Sequence, residues 1–321
     1  MAVYTEVSDA DLARFLAGYD LGPVLALKGI AEGVENSNYF LHTERGYFVL
    51  TLYEKRVSEK DLPFFLGLME HLASRGLNCP LPVRNRNGGA LGKLSGRPAA
   101  VVTFLEGMCR RNSTVHSCAA VGSALGKLHR ISASYSGTRP NSMGLEAWRA
   151  LFEEARPRAS ELQPGLAAEV ADELEFLARN WPQNLPTGVI HADLFPDNVL
   201  FLGDKVSGLI DFYFACTDQL AYDVAICLNA WCFEPDGSYN ITKGQAFFSA
   251  YDADRSFTDV EREAFMVLAR GAALRFALTR LVDWLNVPAN ALVHPKDPRE
   301  YLKKLRFHRQ IQSVRELGLL Q

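Results

Sequence analysis

The side chains best suited to chemistry sit in one short stretch. An apolar run ending at Val189-Ile190 opens into His191-Ala192-Asp193, continues through Asp197-Asn198, and returns to apolar residues at 199–202. After a Gly203-Asp204-Lys205 turn, Ile210-Asp211-Phe212 offers another carboxylate. The two β-forming segments around that turn read as a hairpin, which returns the chain beside its start and is expected to bring Asp211 close to Asn198. A carboxylate and an amide oxygen suit Mg²⁺, which takes few protein oxygens, keeps waters and lets substrate phosphates complete its shell. Asn198 and Asp211 are therefore the expected metal ligands. Asp193 has another task, because phosphoryl transfer needs its accepting hydroxyl aimed and eventually deprotonated, and a carboxylate near that oxygen does both. The spacing Asp-x4-Asn matches the kinase catalytic loop, with Ala192 in the place of its arginine. His191 is expected to brace the loop, and Asp197 to be a solvated loop acid.

The strings HADLFPDN and IDF, with DQLAYDVA at 218–225 and LGKLH at 125–129, resemble the aminoglycoside phosphotransferase and choline kinase superfamily, which is similar in fold to protein kinases. VENSNYFL at 34–41, YFVLTLYE at 47–54, LPFFLGLMEHLA at 62–73, RGAALRFALTRLVDW at 270–284 and HPKDP at 294–298 resemble the bacterial homoserine kinases of that superfamily. The likeness runs from near residue 25 to beyond 300. It implies ATP and Mg²⁺ as cofactors, L-homoserine as acceptor and a step of threonine biosynthesis. A kinase for another small alcohol (choline, ethanolamine, methylthioribose or an aminoglycoside) and a nucleotide-binding pseudokinase are the alternatives. Asp218 and Asp223 are expected to support the loop structurally.

On the nucleotide side, GIAEGVENSN at 29–38 falls on a hairpin turn. There Gly29 and Gly33 permit close backbone approach, and Ser37 and Asn38 supply donors to phosphate oxygens. Thr103 and Leu105, in AVVTFLEG at 100–107, are placed by the resemblance against the adenine. The third strand of a protein kinase carries a lysine for the phosphates, whereas FVLTLYEKR puts Thr51 there. Thr51 brings a hydrogen bond but no charge, so either Mg²⁺ and other donors suffice or Lys28, Lys55 or Arg56 reaches in. GSALGK at 122–127 imitates a P-loop, but it has three residues between its glycines, lacks the following Ser or Thr, and lies in a helical pattern, which reads as helix packing. On the acceptor side, a homoserine carboxylate calls for a guanidinium. Arg270 and Arg275 flank the apolar stripe Leu274-Leu278-Leu281-Leu285 and are the expected substrate-binding residues, with Arg280 pointing away. The absence of a dense acidic patch argues against a polycationic acceptor.

These residues need elements to hold them. Periodicity predicts a helix at 8–18, three antiparallel strands within 24–56, a helix at 58–75 and strands near 90–94 and 98–105. Beyond 113 the pattern is helical, with spans near 113–132, 145–160, 165–180, 218–232, 240–252, 258–287 and 298–318, interrupted only by 188–213. The expected fold is thus α+β and two-lobed, protein-kinase-like: residues 1–105 form a nucleotide-binding lobe of antiparallel sheet with one long helix, and residues 106–321 a larger helical lobe carrying the catalytic loop and acceptor site. The 321 residues are 48% hydrophobic and 22% charged, ample for a large core. A net charge of -3 offers nucleic acid or an anionic membrane no broad attraction. The N-terminus lacks a basic start before an apolar run, and no apolar run reaches a membrane span of about 18 residues. Six cysteines without a CxxC pair read as free thiols. A cytoplasmic enzyme, monomeric or homodimeric, acting on a small molecule is the expectation.

Overall fold

The computed structural model describes residues 5–30, 36–54, 57–287 and 295–319. The chain divides into two compact units: residues 1–107 with the short segments 135–137 and 207–213, and the remainder, 108–134, 138–206 and 214–321.

The first unit opens with α1 (Asp9–Leu16), whose start is fixed by the Ser8 hydroxyl accepting from the Asp11 N–H. Strands β1 (Val24–Gly29), β2 (Ser37–Thr43) and β3 (Gly46–Leu52) follow, then helix α2 (Leu62–Ser74), β4 (Gly92–Leu94) and β5 (Arg97–Thr103). They build one antiparallel sheet in the order β1-β2-β3-β5-β4, the five-stranded sheet with one inserted helix expected from periodicity. Strict alternation of buried and half-buried residues along β2 fixes its register, because a slip of one residue would turn Tyr39 and Leu41 out of the core. The inner face, with Leu41, Leu50 and Leu52 fully buried, packs on Leu12 and Leu16 of α1. Each such side chain contributes about 1.5–3 kcal/mol.

The second unit holds β6 (Met108–Cys109), α3 (Val115–Ser132), α4 (Leu145–Ala155), the single turn α5 (Ala159–Leu162), α6 (Leu166–Asn180), β7 (Thr187–Ile190) and β8 (Val199–Leu202). Strand β9 (Lys205–Leu209) then carries the chain out of it into segment 207–213. The chain returns through β10 (Cys216–Gln219) to α7 (Leu220–Trp231), α8 (Ile241–Asp254), α9 (Asp259–Leu285) and α10 (Pro298–Gln310). Helix α3 lies directly on α8: a Cβ on Gly122 would stand 2.2 Å from the Phe247 carbonyl oxygen, and one on Gly126 2.9 Å from that of Tyr251. The glycines of the P-loop-like string therefore serve helix contact. Two boundaries differ from expectation. Residues 218 and 219, expected to begin a helix, instead end β10, which pairs antiparallel with β7, Cys216 opposite Ile190 and Gln219 opposite Thr187. Helix α10 stops at Gln310, where Ile311 turns extended, and a short turn at 314–317 ends in Gly318 at φ 83°. All six cysteines are free. Among the described residues no helix is long and apolar enough to cross a membrane.

One buried histidine makes the second unit's stability depend on pH. His308 on α10 is 1% exposed, and its Nε2 lies 2.7 Å from the Asn229 side-chain oxygen of α7. Burial, with Lys304 and Arg270 nearby, pushes its pKa from 6.5 down to about 3. The unfolded chain then takes up a proton before the folded one, so stability rises with pH across that window and is lost on acidification. Between pH 6.0 and 4.5 the unfolding free energy is expected to fall by about 2 kcal/mol through this group, at roughly 1.4 kcal/mol per unit. Urea melts of the wild type and His308→Gln measure it; an equally steep slope in the variant would assign the effect elsewhere.

Candidate active site

The second unit's loop 191–198, the expected catalytic loop, leaves β7 at Ile190 and turns sharply. Ala192 takes φ 62°, a left-handed conformation that costs a non-glycine residue about 1–3 kcal/mol. Asp223, in the first turn of α7, compensates for it. One of its oxygens accepts the His191 N–H at 2.7 Å, and the other accepts the Ala192 N–H at 2.8 Å. His129 of α3 adds its Nε2 at 3.0 Å and reaches the Tyr251 hydroxyl of α8 through Nδ1 at 2.8 Å. A carboxylate only accepts, so Nε2 carries the hydrogen. Burial alone would push the Asp223 carboxyl up, but the hydrogen bond and charge of His129, with those of His191, hold it below the usual carboxylate range. From the opposite side Arg275 of α9, 2% exposed, donates Nη1 to the Ala192 carbonyl at 2.8 Å.

So held, the loop presents Asp193, half-buried, with Asn198 behind it. The Asn198 amide nitrogen donates to the Asp193 backbone oxygen at 2.8 Å and to its carboxylate at 3.1 Å. Both bonds employ the nitrogen, which leaves Oδ1 as an acceptor for a cation. This donor set of hard oxygens fits Mg²⁺. His191 is fully buried and contributes through its backbone to the Asp223 clamp. Asp218 accepts from the Asn141 side chain at 2.6 Å and the Gln219 N–H at 2.7 Å, tying β10 in place. Both act as support. Asp197 is exposed and ion-paired with Lys296 at 3.1 Å.

The sequence expectation for the two arginines is corrected. Arg270 is bidentate to Glu173 of α6, with both N···O distances 2.7 Å, and Glu173 is 1% exposed. Arg275 is occupied by Ala192. Both guanidiniums thus bond to the scaffold, Arg270 to a buried carboxylate and Arg275 to a buried loop carbonyl. Arg280, read from the helical wheel as pointing away, is instead 8% exposed, covered by α10 and paired with Glu300 at 2.6 Å.

In the first unit, Asn38 and Thr51 stand opposite each other on β2 and β3, and the Thr51 hydroxyl donates to the Asn38 side-chain oxygen at 2.8 Å. Thr51, 2% exposed, leads on to Tyr213, whose hydroxyl lies 3.2 Å from that of Tyr53. Burial, with the charge of neighbouring Asp211, pushes Tyr213 up to about 12, although Tyr53 and Thr51 pull the other way. Asp211 itself takes φ 63° after Ser207 and Leu209 are pinned by the Glu106 carbonyl and by Asn78. Gly29 pairs with Tyr39 at the end of β1. Gly33, Lys55 and Arg56 lie outside the described residues. One expectation fails here, and another is narrowed to a carbonyl. Strand alternation turns Ser37 inward, fully buried, where it donates to Glu54 at 2.7 Å and accepts from the Thr5 N–H, so its hydroxyl is not a phosphate donor. Thr103 gives its N–H to Leu81 and accepts the Leu81 N–H on its hydroxyl, both at 2.9 Å. Leu105 packs its side chain toward Gly208.

Replacing Asp223 by Asn leaves one of the two loop N–H groups facing an amide donor. We expect a loss of about 2–4 kcal/mol in stability and a fall in kcat that exceeds any rise in KM for nucleotide. Adding Ala192→Gly, which accepts positive φ freely, should restore about 1 kcal/mol of the deficit. Denaturant melts of the single and double variants check both; no recovery in the double variant would remove the strained turn from the account.

A profile of the phosphotransferase enzyme family matches residues 26–257. The homoserine kinase of Beijerinckia indica subsp. indica is 66% identical over 320 residues, covering all of both chains. That of Bradyrhizobium diazoefficiens is 61% identical, covering all of this chain and 98% of its own. Among solved structures, amicoumacin kinase hAmiN superposes with a TM-score of 0.69 at 14% identity over 94% of this chain and 92% of its own, and Plasmodium vivax ethanolamine kinase with 0.61 at 13% over 88% and 82%. The fold is therefore the mixed α+β, kinase-like one. A catalytic loop of this geometry and likeness along the whole chain lead to one conclusion: this protein belongs to the phosphotransferase enzyme family.

Proposed function

We propose that the chain transfers the γ-phosphoryl group of ATP to the side-chain hydroxyl of L-homoserine, with Mg²⁺ as the bound cation. The observation that carries this reading is the Asp193–Asn198 loop, clamped by Asp223 and Arg275, in a chain 66% identical to a homoserine kinase over its full length. Asp193 orients the acceptor hydroxyl and takes its proton as the phosphorus–oxygen bond forms. The hydrogen bond from Asn198 keeps that carboxylate in one rotamer, so the acceptor oxygen meets a fixed base. Asn198, through Oδ1, and Asp211 are assigned as Mg²⁺ ligands. The ion, when bound, neutralises charge on the phosphate oxygens.

The lysine absent at Thr51 has a replacement on β1. Lys28 pairs with Phe40, two residues along β2 from Asn38, and Asn38 pairs with Thr51. Residues opposite each other and two apart share a face, so Lys28 and Thr51 lie on one side of the sheet. Lys28 is exposed there and is assigned to the phosphates. Gly29, Asn38 and the backbone at Leu105 remain the other nucleotide contacts of this reading.

ADP release with a panel of small alcohols tests the function directly. L-Homoserine should be the preferred substrate; turnover of choline, ethanolamine or an aminoglycoside with none of L-homoserine would overturn it. Asp193→Ala is expected to lower kcat by about 10²–10⁴-fold while ATP affinity, measured by calorimetry, stays within a few-fold. Lys28→Met is expected to raise KM for ATP about tenfold and leave KM for the alcohol unchanged, a loss near 1.4 kcal/mol. An unchanged ATP KM would return the search for the phosphate cation to residues 55 and 56.

A further inference from the structure

The second unit contains a cavity of about 530 Å³ with an unusual concentration of buried charge. Phe195 and Pro196, two and three residues beyond Asp193, line it. Phe195 donates its N–H to the Asp193 carbonyl at 2.8 Å, so this wall is the catalytic loop itself. Besides the exposed Arg111, the charge comes from four elements. Arg280 projects from α9, Glu300 and Lys304 from one face of α10, Lys243 from α8, and Glu234 from the segment after α7. Lys304, Lys243 and Arg280 are only 4%, 5% and 8% exposed.

Burying three cations is costly unless each is compensated. Lys243 has its own partner, Glu234 at 2.7 Å, and donates to the Ser113 hydroxyl at 3.1 Å. Arg280 and Lys304 share one carboxylate: Glu300 receives each at 2.6 Å. Two positive charges on one negative leave the corner with one charge in excess. Burial, with Arg280 close by, depresses the Lys304 ammonium even though Glu300 pulls the other way. Tyr301 takes up part of the deficit through its ring, with Arg280 and Lys304 at 4.4 and 4.3 Å from its centroid. A ring quadrupole replaces a fraction of an anion only. The Glu300 side chain is half-exposed, so its outer face is open to a ligand.

We propose that this cavity recognises the zwitterionic head group of the amino-acid acceptor: Arg280 and Lys304, with Lys243, take its carboxylate, and Glu300 takes its ammonium. The proposal rests on the reading above and extends it from reaction to residues. A zwitterion suits the corner because its carboxylate supplies the missing negative charge and its ammonium replaces the share of Glu300 that the two cations surrender. A cavity of this size with a few convergent polar groups suits a small metabolite. The excess positive charge also disfavours amines without a carboxylate, such as choline or an aminoglycoside, by leaving the cations unneutralised.

The test uses the full-length enzyme and three alcohols: L-homoserine, 4-hydroxybutyrate, which lacks the ammonium, and 3-amino-1-propanol, which lacks the carboxylate. For the wild type, kcat/KM should favour L-homoserine over both. In Arg280→Gln and Lys304→Gln the preference over 3-amino-1-propanol should shrink at least tenfold, with KM for ATP unchanged. In Glu300→Gln it is the preference over 4-hydroxybutyrate that should shrink. Lys243→Gln, on a separate helix, provides the same carboxylate readout if the α9–α10 variants do not fold. General damage to the scaffold would lower all three substrates together, so ratios that stay constant would overturn the proposal while leaving homoserine phosphorylation intact. Failure of the wild type to use L-homoserine would overturn the functional reading itself.

Discussion

The second unit is organised around one buried carboxylate. Asp223 is fully enclosed, and an enclosed anion is tolerable only when hydrogen-bond donors replace the water it has lost. It finds three, the N–H groups of His191 and Ala192 and the imidazole of His129. The exchange works in both directions. The donors hold the carboxylate ionised, and the carboxylate holds two consecutive peptide groups in a turn that Ala192 would not otherwise adopt. Asp193 inherits its position from that turn. The β7–β10 pairing matters for the same reason: it feeds the chain into α7 so that Asp223 returns beneath the loop.

The arginines show how the same side chain is turned to different ends by its surroundings. Arg270 and Arg275 both bond within the scaffold, Arg270 to a buried bidentate carboxylate and Arg275 through Nη1 to the loop carbonyl of Ala192. Arg280 shares its carboxylate with a lysine and remains under-neutralised. A place beside an apolar stripe therefore does not decide what an arginine does; the groups packed against it do. The first unit makes a related substitution. Where protein kinases place a lysine, Thr51 joins a chain of hydroxyls and an amide, Asn38, Thr51, Tyr213 and Tyr53, next to Asp211. A buried neutral network of this kind needs no counter-ion.

Much of this was legible in the residues. Alternation along β2, caps such as Ser8 and the Thr258–Glu261 box, and the 3.6-residue spacing of the helices are local signals, and they specified the antiparallel sheet and most helices. The Asp-x4-Asn spacing is local as well, since the whole loop spans only a few residues. Strand β10 was not legible because its partner, β7, lies some thirty residues earlier and its own residues carry no strong strand pattern. Ser37 was misjudged because a polar residue beside a glycine-bearing turn looks available, whereas its partner Glu54 lies at the far end of the next strand.

The chain's chemistry, a carboxylate and an amide five residues apart, together with the fold class, followed from residue order alone, since short-range geometry and periodicity depend on neighbours. Which arginine faces a carboxylate, and where buried positive charge exceeds negative, were settled only in three dimensions. Coulomb and desolvation energies depend on distance through space and on exclusion of water. Both are set by helices α3, α7, α8, α9 and α10 meeting from distant parts of the chain.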